Sequence, residues 1–325
     1  MDKIAYFKSM GLDSKDLKIM YELDCNSRQS NAAIGKKVHL DKSVVGYRIN
    51  QLIKKDFIRD FYTIIDNSKI GYRGYRIYLK WQFINKSIQE EIIEYLKKAP
   101  FTWWIGEISG EWSLGFVVWV KDFIKFESLW FDFLGKYQKF IQKKELAVYV
   151  KLYNCNYAFL SPEKIAEHRF QITGEHGNEK ISKSEEKILS IISENARMPT
   201  VEIAKKSGVS LSGVKYALKK LQEKGIIKGF RTQFNDQKLG YSLYKINFHL
   251  NSLENYNKLV EFSIADPHVI YVPKSIGSAE FEVEIMARNI GELEQFINKI
   301  TNRYADSIKE YSYFAFTNTH KIRYR

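Results

Sequence analysis

The strongest constraint on this chain is that it repeats itself. Residues 12–80 line up with residues 181–249 at a constant offset of 169, without a gap. Ile19-Met20 matches Ile188-Leu189, and Asn26-Ser27-Arg28 matches Asn195-Ala196-Arg197. Ile34-Gly35-Lys36-Lys37 matches Ile203-Ala204-Lys205-Lys206, and Lys69-Ile70-Gly71-Tyr72 matches Lys238-Leu239-Gly240-Tyr241. About twenty of some seventy positions are identical, several times what chance supplies. Beyond residue 80 the match weakens but persists: Pro100 stands opposite Pro267, Gly110 opposite Gly277, and Lys121-Asp122 opposite Arg288-Asn289. A duplication predicts one architecture used twice, so each pattern is checked by its twin.

The first part of each copy has helical periodicity. Leu17, Ile19, Met20 and Leu23 predict a helix over 14–23 with Ser14 as cap. A short helix over 31–38 follows, then a turn at His39-Leu40, then a longer helix from 41 or 42 to 55 with Val45, Ile49 and Leu52 inward. Copy two repeats this over 184–193, 200–207 and 210–224, with Val214, Leu218 and Leu221 inward. Its turn carries Gly208, which suits a positive φ; His39 departs from that preference, and slight strain is expected there. Two short helices, a tight turn and a longer helix with a polar outer face form a helix-turn-helix. The extended piece after each third helix is expected to form a small wing.

The second part of each copy reads strand, helix, strand, strand, helix, strand. In copy one the strands lie near 75–83, 101–108, 113–120 and 141–150, with helices near 87–98 and 123–137. In copy two the same order runs through 243–250, 253–265, 269–276, 280–288, 290–304 and 308–315. This βαββαβ order predicts a ferredoxin-like antiparallel sheet with helices on one face. The fold class is therefore α+β, with winged helix-turn-helix domains alternating with ferredoxin-like domains, duplicated. The expected boundaries are 1–62 and 63–160 for copy one, a linker over 161–180 with a short helix at 162–169, and 181–231 and 232–325 for copy two.

Composition narrows the function. The net charge of +13 attracts polyanions. No apolar run approaches the ~18 residues that span a bilayer, and residues 1–7 do not read as a secretory signal. Cys25 and Cys155 are too few and too scattered for a disulfide framework or a zinc site, so a cytoplasmic location is expected. His39, His168, His176, His249, His268 and His320 show no paired metal spacing. Neither a phosphate-binding glycine loop nor a nucleophile elbow is present, and no metal, cofactor or catalytic residue is expected.

The run Ser-Leu-Ser-Gly-Val-Lys-Tyr-Ala-Leu-Lys-Lys-Leu-Gln-Glu-Lys-Gly-Ile-Ile-Lys-Gly-Phe at 210–230, its partner at 41–61, and Lys-Leu-Gly-Tyr at 238–241 resemble the Lrp/AsnC family of prokaryotic transcription regulators. The resemblance covers nearly the whole chain, twice. It implies sequence-specific binding of double-stranded DNA and modulation by a small-molecule effector such as an amino acid. Family members usually carry one copy and dimerise, so the tandem form departs from the pattern. In the family, a Gly after the second strand of the α/β domain and a following acidic residue lie near the effector. Gly110 and Gly277 occupy the Gly position here, and Ser113 and Glu280 the acidic one. Sirohaem decarboxylases share this architecture, so an enzyme of that kind is the alternative, although copy one has no histidine between Tyr62 and Leu160. A ligand-sensing paralogue without DNA binding is a third class.

Removing the inward positions of the third helices leaves Lys42, Ser43, Tyr47 and Asn50 in copy one, and Ser212, Lys215, Tyr216 and Lys219 in copy two, as base or phosphate contacts. Arg48 reaches either DNA or the first helix. Lys36, Lys37, Lys205 and Lys206, on the helix that crosses the backbone, are phosphate candidates, followed by the wing-side Lys55, Arg59, Lys228 and Arg231. All six tryptophans lie between residues 81 and 130, as core and interface side chains or as the walls of an aromatic pocket. Strand alternation puts Glu280, Glu282 and Glu284 on the open face of sheet two, and Arg76, Tyr78 and Lys80 on that of sheet one. Unlike faces favour pairing of the two α/β domains within one chain, with further assembly of whole chains left open. The rival partners for the glutamates are Lys245 and His249 on the neighbouring strand.

Overall fold

The computed structural model describes residues 3–161 and 170–322. After α1 (Lys3–Ser9), the first helix-turn-helix comprises α2 (Ser14–Cys25), α3 (Asn31–Val38) and α4 (Lys42–Lys54). Asp13, not Ser14, caps α2: its carboxylate accepts the Asp16 N–H, and the Asp16 carboxylate accepts the Asp13 N–H. An acid at that position also favours the positive end of the helix dipole. His39 takes the left-handed conformation after α3, at φ 56°. The chain continues through β1 (Ile58–Ile65), β2 (Arg73–Trp81), α5 (Lys86–Lys98), β3 (Thr102–Ser109), β4 (Leu114–Val120), α6 (Phe123–Tyr137), β5 (Ile141–Cys155) and β6 (Phe170–Thr173). Copy two supplies α7 (Lys183–Glu194), α8 (Thr200–Ser207), α9 (Leu211–Glu223), β7 (Ile227–Phe234), β8 (Ser242–Leu250), α10 (Tyr256–Ile264), β9 (Val269–Ile276), β10 (Phe281–Ala287), α11 (Ile290–Arg303) and β11 (Ile308–Ile322). Gly208 ends α8 at φ 73°, the same turn as His39 without the Cβ cost.

Each α/β unit has its expected four strands, in the orders β5-β2-β4-β3 and β11-β8-β10-β9. The two units do not end there. β3 pairs with β11 and β9 pairs with β5, so the eight strands close into one antiparallel ring. β5 and β11 run to Cys155 and Ile322, well past the ends expected from the sequence, because their distal halves pair with the other copy. Closure also removes the exposed sheet edges that an isolated unit would present.

Strand alternation sorts the side chains. Ile77, Leu79, Leu114 and Phe116 point out to α5 and α6, while Ile246, Phe248, Phe281 and Val283 point out to α10 and α11, giving each copy its own apolar core. The alternate residues point into the ring. There Arg76, 1% exposed, meets Glu282 across the interior in a bidentate pair at 2.7 and 2.5 Å. Lys245 donates to the same carboxylate at 3.0 Å and lies 3.6 Å from Glu284. Both expected sets of partners for the glutamates are therefore present at once. Burial alone would raise the Glu282 pKa, but the two cations outweigh it and hold the carboxyl well below its usual range. Tyr78, Ile108, Trp112 and Phe314 form a second, apolar cluster spanning both copies.

Below the ring, the extended pieces expected as wings, β1 and β7, pair antiparallel with one another. The pairing satisfies main-chain groups that a lone strand would leave open. α2 packs on β7, and α7 packs on β1. Asp24 of α2 holds Arg231 of β7 in a buried pair at 2.7 and 2.8 Å, which removes Arg231 from the phosphate candidates. The span expected as a linker contains β6, which pairs with the end of β5. The helix expected at 162–169 lies outside the described residues. α1, which the sequence pattern did not suggest, docks on copy two: Phe7 is fully buried, and the Tyr6 hydroxyl donates to the Leu239 carbonyl at 3.2 Å.

Removing one partner of a desolvated pair strands the other charge. Arg76→Met alone, or Glu282→Leu alone, is expected to lower unfolding free energy by about 3–5 kcal/mol, and the double variant to recover most of that loss. Urea unfolding of the four proteins checks this; a double variant as unstable as the sum of the singles contradicts it.

Candidate nucleic-acid interface and the cavity behind it

The recognition helices α4 and α9 bury the predicted apolar faces and leave the opposite ones open. Val45, Ile49 and Leu52 are buried, as are Val214, Leu218 and Leu221. Lys42, Ser43, Tyr47 and Asn50 are exposed on α4, and Ser212, Lys215, Tyr216 and Lys219 on α9. Tyr47 and Tyr216 are 65% and 68% exposed, large rings left open to solvent on the outer faces. Ser210 caps α9 through the Gly213 N–H, placing the short Ser212 in the first turn. Lys36, Lys37, Lys205 and Lys206 all lie exposed on α3 and α8. Lys37 is tied to Glu22, and Lys206 lies 3.3 Å from Glu202. Among the described residues, no carboxylate lies within ion-pair range of Lys36, Lys205 or Lys215.

Arg48 faces the first helix. Its guanidinium pairs with Asp13 at 2.8 Å and Asp16 at 2.7 Å, so it fastens α4 to the start of α2. The pair is partly exposed, so its contribution to stability is modest. Lys228 is likewise engaged by Glu175 at 2.7 Å.

The two modules are locked together by a reciprocal pair that the sequence pattern contained but did not explain. Arg28 Nη1 donates to the carbonyls of Ala196 and Met198, at 2.5 and 3.1 Å. Arg197 donates to the carbonyl of Ser27 and, through Nη2, to Asn31 Oδ1 at 3.0 Å. Each guanidinium also sits over a ring of the β1–β7 ribbon: Arg28 over Phe230 at 5.5 Å and Arg197 over Phe61 at 5.3 Å. The signal was the repeat of Asn-Ser-Arg at 26–28 as Asn-Ala-Arg at 195–197. A shallow groove runs between the modules, flanked by Arg28, Arg197, Lys42 and Ser43.

The glycines expected at an effector site have a packing role. Gly110 and Gly277 have φ of 126° and 96° at the hairpins after β3 and β9. A Cβ on Gly110 would lie 3.2 Å from Phe314 Cβ, and one on Gly277 would lie 2.6 Å from the Leu146 carbonyl oxygen. Each glycine thus lets its hairpin approach a strand of the other copy. Ser113 accepts the Trp81 N–H at 3.3 Å, and Glu280 accepts the Leu250 N–H at 3.1 Å. None of these four residues lines the cavity of about 140 Å³ where the ring meets the ribbon. Its walls include Trp103 and Trp104, two of the six clustered tryptophans, with Tyr62, Tyr157 and Asp236. Burial pushes the Asp236 carboxyl up to about 7; a Tyr157 hydrogen bond and the Arg59 charge pull it down, while Asp24 adds to the rise.

Tyr47→Ala and Tyr216→Ala should each change unfolding free energy by less than about 0.5 kcal/mol while weakening DNA binding. Arg48→Ala should do the reverse, costing roughly 0.5–1 kcal/mol of stability with DNA affinity little changed. Thermal melts alongside fluorescence anisotropy on a labelled duplex separate the two cases. For Asp236, a folded-state pKa above the unfolded one means stability is present at low pH and lost as pH rises through about 7. Asp236→Asn should therefore melt above the parent at pH 8, with the two curves converging towards pH 4; a constant offset across that range contradicts the assignment.

Comparison with known proteins agrees with this geometry. A family model described as winged helix-turn-helix DNA-binding matches residues 12–59 and 181–228. The HTH-type transcriptional regulator LrpA of Pyrococcus horikoshii is 52% identical over 59 residues, which is 18% of this chain and 42% of LrpA, less than half of that relative's length. An uncharacterized HTH-type transcriptional regulator of Pyrococcus abyssi is 30% identical over 106 residues, 32% of this chain and 69% of that protein. Among solved structures, the sirohaem decarboxylase NirDL matches over 95% of this chain and 93% of its own, with a TM-score of 0.63 and 14% identity, a likeness of fold. No described helix is long and apolar enough to cross a membrane. The chain belongs to the Lrp/AsnC family of transcriptional regulators, in a tandem-duplicated form with two winged helix-turn-helix modules.

Proposed function

We propose that one chain pairs with itself and grips double-stranded DNA in adjacent major-groove segments through α4 and α9, regulating transcription. The observation that carries this is the cross-lock of Arg28 and Arg197, which holds two exposed recognition helices on one base. Pairing of the α/β units within the chain then does what association of two subunits does for a single-copy protein. The bidentate Arg76–Glu282 contact supports that reading, because it joins unlike faces that two identical units could not reproduce. Modulation by a small molecule belongs to the same reading. The decarboxylase alternative is less well supported: a shared fold does not carry an activity, and no described histidine lines the ring cavity.

The two readers are not equivalent. Gly46 and Asn50 of α4 correspond to Lys215 and Lys219 of α9. Asn suits adenine and Lys suits guanine acceptors, so the two half-sites should differ. Selection from random duplex DNA tests the proposal: the expected consensus is an imperfect palindrome, and a perfectly symmetric site, or no enriched site, overturns it.

Binding should also be salt-steep, with affinity falling by ~10³–10⁵ between 50 and 200 mM salt for on the order of 6–10 phosphates neutralised. Lys205→Ala with Lys206→Ala should flatten the slope and weaken all sequences alike. An unchanged slope removes these lysines from the phosphate contacts.

A further inference from the structure

The ring meets the β1–β7 ribbon at two places that the internal repeat makes equivalent, and the two are filled differently. One place is bordered by Ile65, Tyr72 and Gly74, whose repeat partners Phe234, Tyr241 and Leu243 border the other. At the first, the strap around Thr173, Gly174 and His176 closes in and leaves about 20 Å³. Asp66 is satisfied there: it accepts the N–H groups of Ser68 and Gly174 at 3.2 and 3.1 Å and that of Glu175 at 3.3 Å. At the second, no described strap enters, and about 140 Å³ remains. That is roughly ten times the ~10–15 Å³ that one water needs.

Buried polar atoms at the second place are left without partners. Thr63 donates to the Ile192 carbonyl at 2.7 Å, but its repeat partner Thr232, 1% exposed, has a hydroxyl with no hydrogen bond among the described residues. Asp236 Oδ1 is also buried and unpartnered, although Tyr157 bonds the carboxylate. Such atoms cost stability unless something occupies the space.

The charge balance says what kind of occupant fits. Glu282 and Glu284 are matched by Arg76 and Lys245, and Asp24 by Arg231. Arg59, the remaining cation on the lining, is 42% exposed and faces Asp56 at 3.7 Å. Among the described residues no cation forms an ion pair with Asp236, and Arg59 acts on it only through its field, so the acid offers an incoming cation an open partner. On the same lining, Tyr62, Trp104, Tyr241 and Phe316 supply aromatic surface suited to a flat body and to a cation.

We propose that this cavity binds a small aryl-alkyl ammonium, its cationic nitrogen on Asp236 and its flat body among the aromatic walls. Tyr62 lies on β1 and Thr232 on β7, the ribbon on which α7 and α2 pack, so an occupant acts on the strands that set the spacing of α4 and α9. That coupling rests on the DNA-binding reading; the binding itself does not.

Isothermal titration of the full chain with 2-phenylethylamine, without DNA, is the test, using 2-phenylethanol, phenylacetate and phenylalanine as comparators. The expected result is saturable binding at one site per chain, at least about tenfold tighter than any comparator, as a charged hydrogen bond supplies. Asp236→Asn should weaken it by about tenfold or more, and Leu243→Trp, which fills the space from another part of the lining, should abolish it. Equal binding of the alcohol, tighter binding of phenylalanine, full affinity in folded Asp236→Asn, or no binding of the amine overturns the proposal. Anisotropy on a selected duplex then reads the coupling: the amine should shift the DNA midpoint in the parent and not in Leu243→Trp, and an unshifted midpoint in the parent removes the link to DNA while leaving the site.

Discussion

Two ions of opposite charge inside a closed ring of strands are what the rest of this structure depends on. Arg76 and Glu282 come from different copies and from strands that do not touch, so they meet only if both four-stranded units face inward and close on each other. Neither could be left alone in that interior, because an unpaired charge there costs several kcal/mol. Lys245 and Glu284 join the same cluster, and Glu145 lies 4.0 Å from Arg76 at its edge. An apolar interior would close a ring as well, but equally between any two units; a bidentate pair of unlike partners specifies which face meets which.

Closure of the ring fixes the platform beneath it. The strands that leave each helix-turn-helix pair with one another instead of folding back, and each three-helix module packs against the other copy's strand. Arg28 and Arg197 then tie the modules at their turns, chiefly through main-chain carbonyls, with Asn31 as a side-chain acceptor for Arg197. Rigid spacing of two readers is what recognition of a two-part site requires. Duplication within one chain also frees the readers to diverge, since no symmetry operation forces Gly46 and Lys215, or Asn50 and Lys219, to be alike.

The same divergence appears at the two meeting points of ring and ribbon. On one side the connection between copies serves as a plug, and its backbone N–H groups satisfy Asp66. The other side has no equivalent connection among the described residues, and Thr232 and Asp236 keep unspent hydrogen-bonding capacity. A single-copy protein would treat both sides alike. Here the linker between copies makes them different.

Much of this was legible in the order of residues. The repeat, the 3.6-residue periodicity and the turns at His39 and Gly208 determined the helix-turn-helix modules, because local sterics and one apolar face suffice to define such helices. Period-two alternation determined the βαββαβ units and placed Arg76 and Glu282 on open faces, for the same local reason. Tyr47 and Tyr216 stood out as unburied rings on the same grounds. Other features depended on contacts between residues more than a hundred positions apart. Pattern alone could not say that β1 pairs with β7, that β5 and β11 extend to close the ring, or that Arg231 is buried against Asp24. Nor could it say that Gly110 and Gly277 serve close approach to another strand. Periodicity reports which face of an element is apolar, but not which partner covers it; that choice is made by the free energy of the assembled chain, and only the tertiary structure contains it.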